Sequence, residues 1–168
     1  MDEGLFIFIE ECGDWRYRTL MQAITHNPEE TAQMAADVAT EVIKRMPSAS
    51  AAMVLGLTGE LGSGKTTFVQ AFARALGVQT RPKSPTFTLM HEYPIPESSL
   101  SLWHLDCYRL EGRKDLEALD LASVLADPTN IVLIEWPERA GDILPRDRVL
   151  IRFGHAGEDK RSVSVKWP

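Results

Sequence analysis

The chain has 168 residues, 44% hydrophobic and 25% charged, with a net charge of −6 and two cysteines, Cys12 and Cys107. That is about one domain, with a composition that excludes a disordered chain, and it is long enough to bury a core without disulfides or a structural metal. The acidic balance argues against an autonomous grip on nucleic acid, which works through basic surface. With no ~20-residue apolar span and an acidic Met-Asp-Glu-Gly start, the expectation is a reduced, cytoplasmic protein that stays off membranes.

Residues 1–24 have no clean period and read either as an edge strand or as an N-terminal extension. Asn27–Met46 reads as a helix. Asn27 is its N-cap, Pro28 suits the first helical position, and Glu30 completes an Asn-x-x-Glu pattern akin to a capping box. Ala35, Val38, Ala39, Val42, Ile43 and Met46 recur at helical spacing, and Pro47 is the stop. Ala52–Thr58 is a short apolar run of the kind that makes a fully buried strand. A glycine-rich turn follows, then Lys65–Leu76, whose Phe68, Val69, Phe72, Ala73 and Leu76 form one apolar stripe, with Gly77 as C-cap. Thr86–Tyr93 and Leu100–Tyr108 read as a hairpin, Asp115–Leu125 as one or two short helices, and Asn130–Ile134 as a second buried strand ending at Glu135. Arg148–Phe153 and Ser162–Trp167 read as a closing antiparallel pair. The whole is one mixed α/β domain.

The strongest chemical signal is Gly-Glu-Leu-Gly-Ser-Gly-Lys-Thr at Gly59–Thr66, which fits the P-loop spacing G-x-x-x-x-G-K-[ST]. Glycines let successive main-chain N–H groups point into one concavity, and the positive end of the following helix faces the same place. Gly59, Glu60, Leu61, Gly62, Ser63, Gly64, Lys65, Thr66 and Thr67 are the phosphate-binding candidates. Lys65 reaches the β- and γ-phosphates, Thr66 offers its hydroxyl to Mg²⁺, and Glu60 should point outward. A second acid for the metal is needed, and Asp106 and Glu135 each end an apolar strand, where ligands of open α/β sheets gather. His104 shares a strand face with Asp106; it reads as a partner for that acid or as a satisfied, half-buried histidine. Trp136 reads as a nucleotide contact, a partner contact or a core residue, and Cys107 as a small buried hydrophobe. Lys83–Thr88, with Thr86, reads as a γ-phosphate-sensing switch or as a loop entering a strand.

Four strings in this order resemble the TsaE (YjeE) family, the P-loop ATPase of bacterial tRNA threonylcarbamoyladenosine synthesis: Gly59–Phe68, Lys83–Leu89, His104–Leu110 and Leu133–Arg139. The resemblance runs from about Asn27 to Trp167. It implies a single three-layer α/β P-loop NTPase domain at 25–168, behind an N-terminal extension at 1–24. Its sheet would be mixed, with antiparallel strands at one side. It implies ATP and Mg²⁺ as cofactors and slow ATP hydrolysis, with TsaD and TsaB as partners and tRNA reached only through them. Motif by motif, Gly62–Thr67 fall on the phosphate positions, with Lys65 also catalytic, and Thr66 and Glu135 on the magnesium positions. Asp106 falls on the family's motif acid, serving the metal site or catalysis, and Ser84–Phe87 on the first switch. Asn27 and Thr31 fall where the family's N-terminal segment nears the adenine, and Lys160 or Arg161 on its late basic contact.

Two other classes share the loop. A small-molecule kinase needs an arginine-rich lid and an acceptor pocket, whereas Arg109, Arg113, Arg139, Arg146 and Arg148 are scattered through the second half. A nucleotide-sensing module would bind without useful hydrolysis.

Overall fold

Two runs buried along nearly their whole length organise the molecule. In the computed structural model, which describes residues 8–10, 19–80, 82, 89–110 and 113–168, the strands are β1 (Phe8–Glu10), β2 (Thr19–Thr25), β3 (Met53–Thr58), β4 (Met90–Pro94), β5 (Ser101–Asp106), β6 (Asn130–Glu135), β7 (Val149–His155) and β8 (Arg161–Trp167). They form one sheet in the order β1-β2-β8-β7-β3-β6-β5-β4. All six residues of β6 are buried, and so are Val54–Leu57 of β3. Strands covered on both faces read as continuous apolar runs, which is why these two were visible in the sequence.

The helices are α1 (Pro28–Arg45), α2 (Lys65–Ala75), α3 (Arg113–Ala118) and α4 (Leu121–Ala126). Alternate side chains of each central strand face opposite layers. Leu55, Leu57, Ile131 and Leu133 pack with Met34, Val38 and Val42 of α1 and Phe68 and Phe72 of α2. Val54, Val132, Ile134 and Leu105 pack with Leu116 of α3 and Leu121 and Val124 of α4. The result is the expected three layers. The Asn27 cap forms, its side chain accepting from the Glu30 N–H at 2.8 Å. Glu30 reaches one residue further back than a capping box does, accepting from the His26 N–H at 2.8 Å. No helix among the described residues is long and apolar enough to cross a membrane.

The sheet differs from expectation in where its antiparallel strands lie. They flank the parallel β7-β3-β6-β5 core on both sides, not on one. A hairpin lays its outer strand against its own partner, so β4 pairs with β5 on one side of that core and β8 with β7 on the other. The sheet also takes in residues 19–24. Strand β2 pairs with β8 over seven positions, from Thr19↔Trp167 to Thr25↔Arg161. Ala23 and Thr25 are buried while Gln22 and Ile24 are exposed, a two-residue alternation too short to stand out in the chain.

Cys107 is fully buried behind β5, as a small hydrophobe should be. Burial, and then the negative charges of Asp106 and Glu138, push its thiol up to about 12. At pH 8 the thiolate fraction is then on the order of 1 in 10⁴. Peptide mapping after maleimide treatment is expected to find Cys107 unmodified in the native protein and labelled after denaturation. Rapid native labelling would contradict this burial.

Candidate functional site

The glycines of the loop after β3 divide into two kinds. At Gly59 (φ 142°) an added Cβ would lie 2.5 Å from the Phe153 carbonyl oxygen, so this glycine lets β3 and β7 close together. At Gly62 (φ 75°) and Gly64 (φ 105°) an added Cβ would meet nothing within 4 Å. Their left-handed backbone suits glycine, and the missing side chains leave the concave side of the loop open. Gly64 is the N-cap of α2 and supplies no side-chain hydrogen bond to its first turn. Those N–H groups and the positive helix end therefore face the concavity. Among the described residues, nothing hydrogen-bonds to the buried Ser63 Oγ, a polar atom suited to an oxygen-rich ligand. Glu60 points outward as expected, its side chain 86% exposed and 3.9 Å from His155 Nε2. Leu61 at the tip is exposed, and Thr66 and Thr67 are half-buried.

Lys65 is only 4% exposed. Its ammonium donates to the carbonyls of Gly59 (2.7 Å) and Glu60 (2.9 Å) and sits 4.2 Å from the centre of the Trp136 ring. Burial pushes it below the usual lysine range, against the opposing pull of Glu135, Glu138 and Asp106. Glu135 and Asp106 arrive by register. Leu57 aligns with Glu135, and Glu135 with Asp106, so both carboxylates stand at the carboxyl ends of parallel strands beside the loop. Glu135 is 3% exposed. Asp106 is half-buried and accepts from the Tyr108 N–H at 3.0 Å.

His104 pairs with Glu135, not with Asp106: its Nε2 lies 2.9 Å from Glu135 Oε1. Along one strand, same-face neighbours are ~6.6 Å apart. Across β5 and β6, His104 aligns with Leu133, which puts Glu135 diagonally ahead of the imidazole. Trp136 sits at the site, half-buried, in a left-handed conformation (φ 58°) unusual for a bulky residue. Its N–H donates to Leu57 O at 3.1 Å, and its ring is 5.2 Å from that of Tyr108. Arg139 donates to Tyr108 O at 2.6 Å and lies over the Tyr108 ring at 5.0 Å. Sequence reasoning gave Tyr108 and Arg139 no role; they lie within the His104–Leu110 and Leu133–Arg139 strings.

Asn27, Thr31 and Arg161 come to the same end of the sheet. Thr58 aligns with Arg152, and three residues on His155 aligns with Arg161, which aligns with Thr25. Thr31 Oγ1 is 2.9 Å from Thr25 Oγ1, while the Asn27 side chain is engaged with Glu30. Arg161 donates to the Lys160 and Glu158 carbonyls. A cavity of about 1030 Å³ opens beside them, walled by His26 and Lys160, chain neighbours of Asn27 and Arg161, with Phe153 and Ser162. Thr86 and the rest of the expected switch, Ser84–Phe87, lie outside the described residues.

Comparison with known proteins points one way. Residues 25–163 match the family model of the threonylcarbamoyl adenosine biosynthesis protein TsaE. The chain is 36% identical over 142 residues to the tRNA threonylcarbamoyladenosine biosynthesis protein TsaE of Bacillus subtilis, covering 83% of this chain and 81% of that one. It is 34% identical over 125 residues to the protein of the same name from Haemophilus influenzae, covering 74% and 76%. Among solved structures, the crystal structure of Bacillus subtilis YdiB superposes with a TM-score of 0.68 at 31% identity, covering 95% of this chain and 87% of that one.

Proposed function

The chain belongs to the TsaE family, and from that membership we propose that it is a Mg²⁺-dependent ATPase of tRNA threonylcarbamoyladenosine biosynthesis, weak alone and acting in the cytoplasm with TsaD and TsaB. The observation that carries this reading is the open glycine loop, whose buried Lys65 feels the charges of Glu135 and Asp106 at the ends of the neighbouring strands.

The main-chain N–H groups of Gly62–Thr67 would hold the phosphates, with Gly59, Glu60 and Leu61 shaping the approach. A triphosphate offers Lys65 stronger acceptors than the two carbonyls it now holds, and the gain of charge pairing favours its move. Thr66 and Glu135 would hold the metal, with Asp106 beside them. Mg²⁺ usually takes one or two protein oxygens plus substrate phosphates and waters. That suits a site where no group of three or more His, Cys, Asp or Glu among the described residues could hold a metal by itself. When bound, it supplies charge neutralisation across the β- and γ-phosphates. Asp106, half-exposed at its strand end, would orient the attacking water. Trp136 would flank the phosphates, and Asn27, Thr31 and Arg161 would lie toward the base, with Thr86 sensing the γ-phosphate.

The net charge of −6 supports access to tRNA through partner proteins. ATP can drive assembly only if the ATP form binds the partners more tightly than the ADP form. The test titrates the TsaD–TsaB pair with this protein in ATP, ADP or no nucleotide, and follows phosphate release and repeated rounds of tRNA modification. Tightest binding in ATP and turnover that needs this protein are expected. Equal affinity in all three states, with multiple rounds in its absence, would sink the reading.

A further inference from the structure

We propose that His104 is a positioning residue for Glu135, holding one carboxylate oxygen so that the other is presented to Mg²⁺; this rests on the assignment of Glu135 to the metal. His104 is 0% exposed and Glu135 3%. A carboxylate oxygen only accepts, so the hydrogen in the 2.9 Å contact is on His104 Nε2. Among the described residues, nothing hydrogen-bonds to the buried Nδ1. The ring therefore spends its polarity on one bond, to Glu135, and bears the cost of an orphaned buried polar atom. An apolar side chain would fill the same space without that cost, so packing alone does not account for a histidine here.

The bond settles which way the carboxylate turns. Among the described residues no hydrogen bond fills Glu135 Oε2. Lys65 is a nearby cation, whose ammonium already feels the Glu135 charge. Released from His104, Glu135 would be free to rotate toward Lys65. An ion pair there would withdraw the lysine from the phosphates and the carboxylate from the metal together. Holding Oε1 on the β5 side keeps the two charges in separate roles. Partners that orient a metal ligand commonly contribute 10–100-fold to metal affinity.

The test needs no turnover. Binding of a fluorescent non-hydrolysable ATP analogue is followed as Mg²⁺ is titrated, in the wild type, His104→Phe, His104→Gln and Glu135→Ala, with circular dichroism to establish folding. His104→Phe is expected to raise the Mg²⁺ midpoint ~10–100-fold while leaving Mg²⁺-free analogue affinity in place. His104→Gln, whose amide donates from near the Nε2 position, should recover most of that loss. A folded His104→Phe with the wild-type midpoint, where Glu135→Ala shifts it, overturns this proposal alone. An unshifted Glu135→Ala removes Glu135 from the metal site and this proposal with it. Equal weakening with and without Mg²⁺, no recovery in His104→Gln, or failure of both histidine variants to fold would assign His104 to the core and also overturn it.

Discussion

Lys65→Ala is expected to abolish most ATP hydrolysis and weaken ATP binding while the fold stands. The ammonium is a positive charge buried among the loop carbonyls, the Trp136 ring and the acids at the ends of β5 and β6. Charge develops on the phosphoryl oxygens as the bond breaks, and a preorganised donor acts there most strongly. Losing one such donor typically costs 10²–10³-fold in kcat, about 2.7–4 kcal/mol. The main-chain cradle does not depend on the side chain, so residual binding is expected. The truncation frees the Gly59 and Glu60 carbonyls, but Glu60 lies in water, which can replace the lost donor. Steady-state hydrolysis, ATP titration and a thermal melt read the three effects separately. Wild-type turnover in Lys65→Ala would remove this loop from the chemistry.

Phe68→Ala should be among the most destabilising single changes in the chain. Phe68 lies on the first turn of α2 and is 0% exposed. Its ring stacks with Phe72 at 6.3 Å and meets Phe153 edge-on at 5.5 Å. Truncating a buried phenylalanine removes its transfer free energy and leaves a cavity, together costing ~3–5 kcal/mol. That is a large share of a typical stability of 5–15 kcal/mol. At roughly 2–4 °C per kcal/mol for a chain of this size, the melting temperature should fall by about 6–20 °C. The loss should also reach the site. Phe153 is the strand residue against which Gly59 closes, and Phe68 packs on its ring, so the loop loses its footing with the core. Denaturant unfolding and ATP titration measure the two consequences. A loss below ~1 kcal/mol would mean that the surrounding side chains collapse into the space.

Much of this protein is written locally. The Asn27 cap, the period of α1, the apolar runs of β3 and β6 and the Gly59–Thr66 spacing each record a physical need of one short segment. A cap must satisfy orphan N–H groups, a doubly covered strand must be apolar throughout, and a phosphate cradle must lack Cβ atoms. Glu60 pointing outward and Asp106 and Glu135 closing their strands follow from the same local logic. Strand order and register do not. They decided that the antiparallel strands flank both sides of the sheet, because β5 and β7 border opposite sides of the parallel core. They drew residues 19–24 into the sheet through β8, where the alternation of β2 alone is too brief to show. They turned His104 to Glu135 on the next strand, though Asp106 is nearer in sequence. The inward fold of Lys65 and the left-handed turn that puts Trp136 beside it are tertiary in the same sense. Each depends on a partner tens of residues away, and a chain read segment by segment carries its own periods and caps but not the alignment of one strand against another.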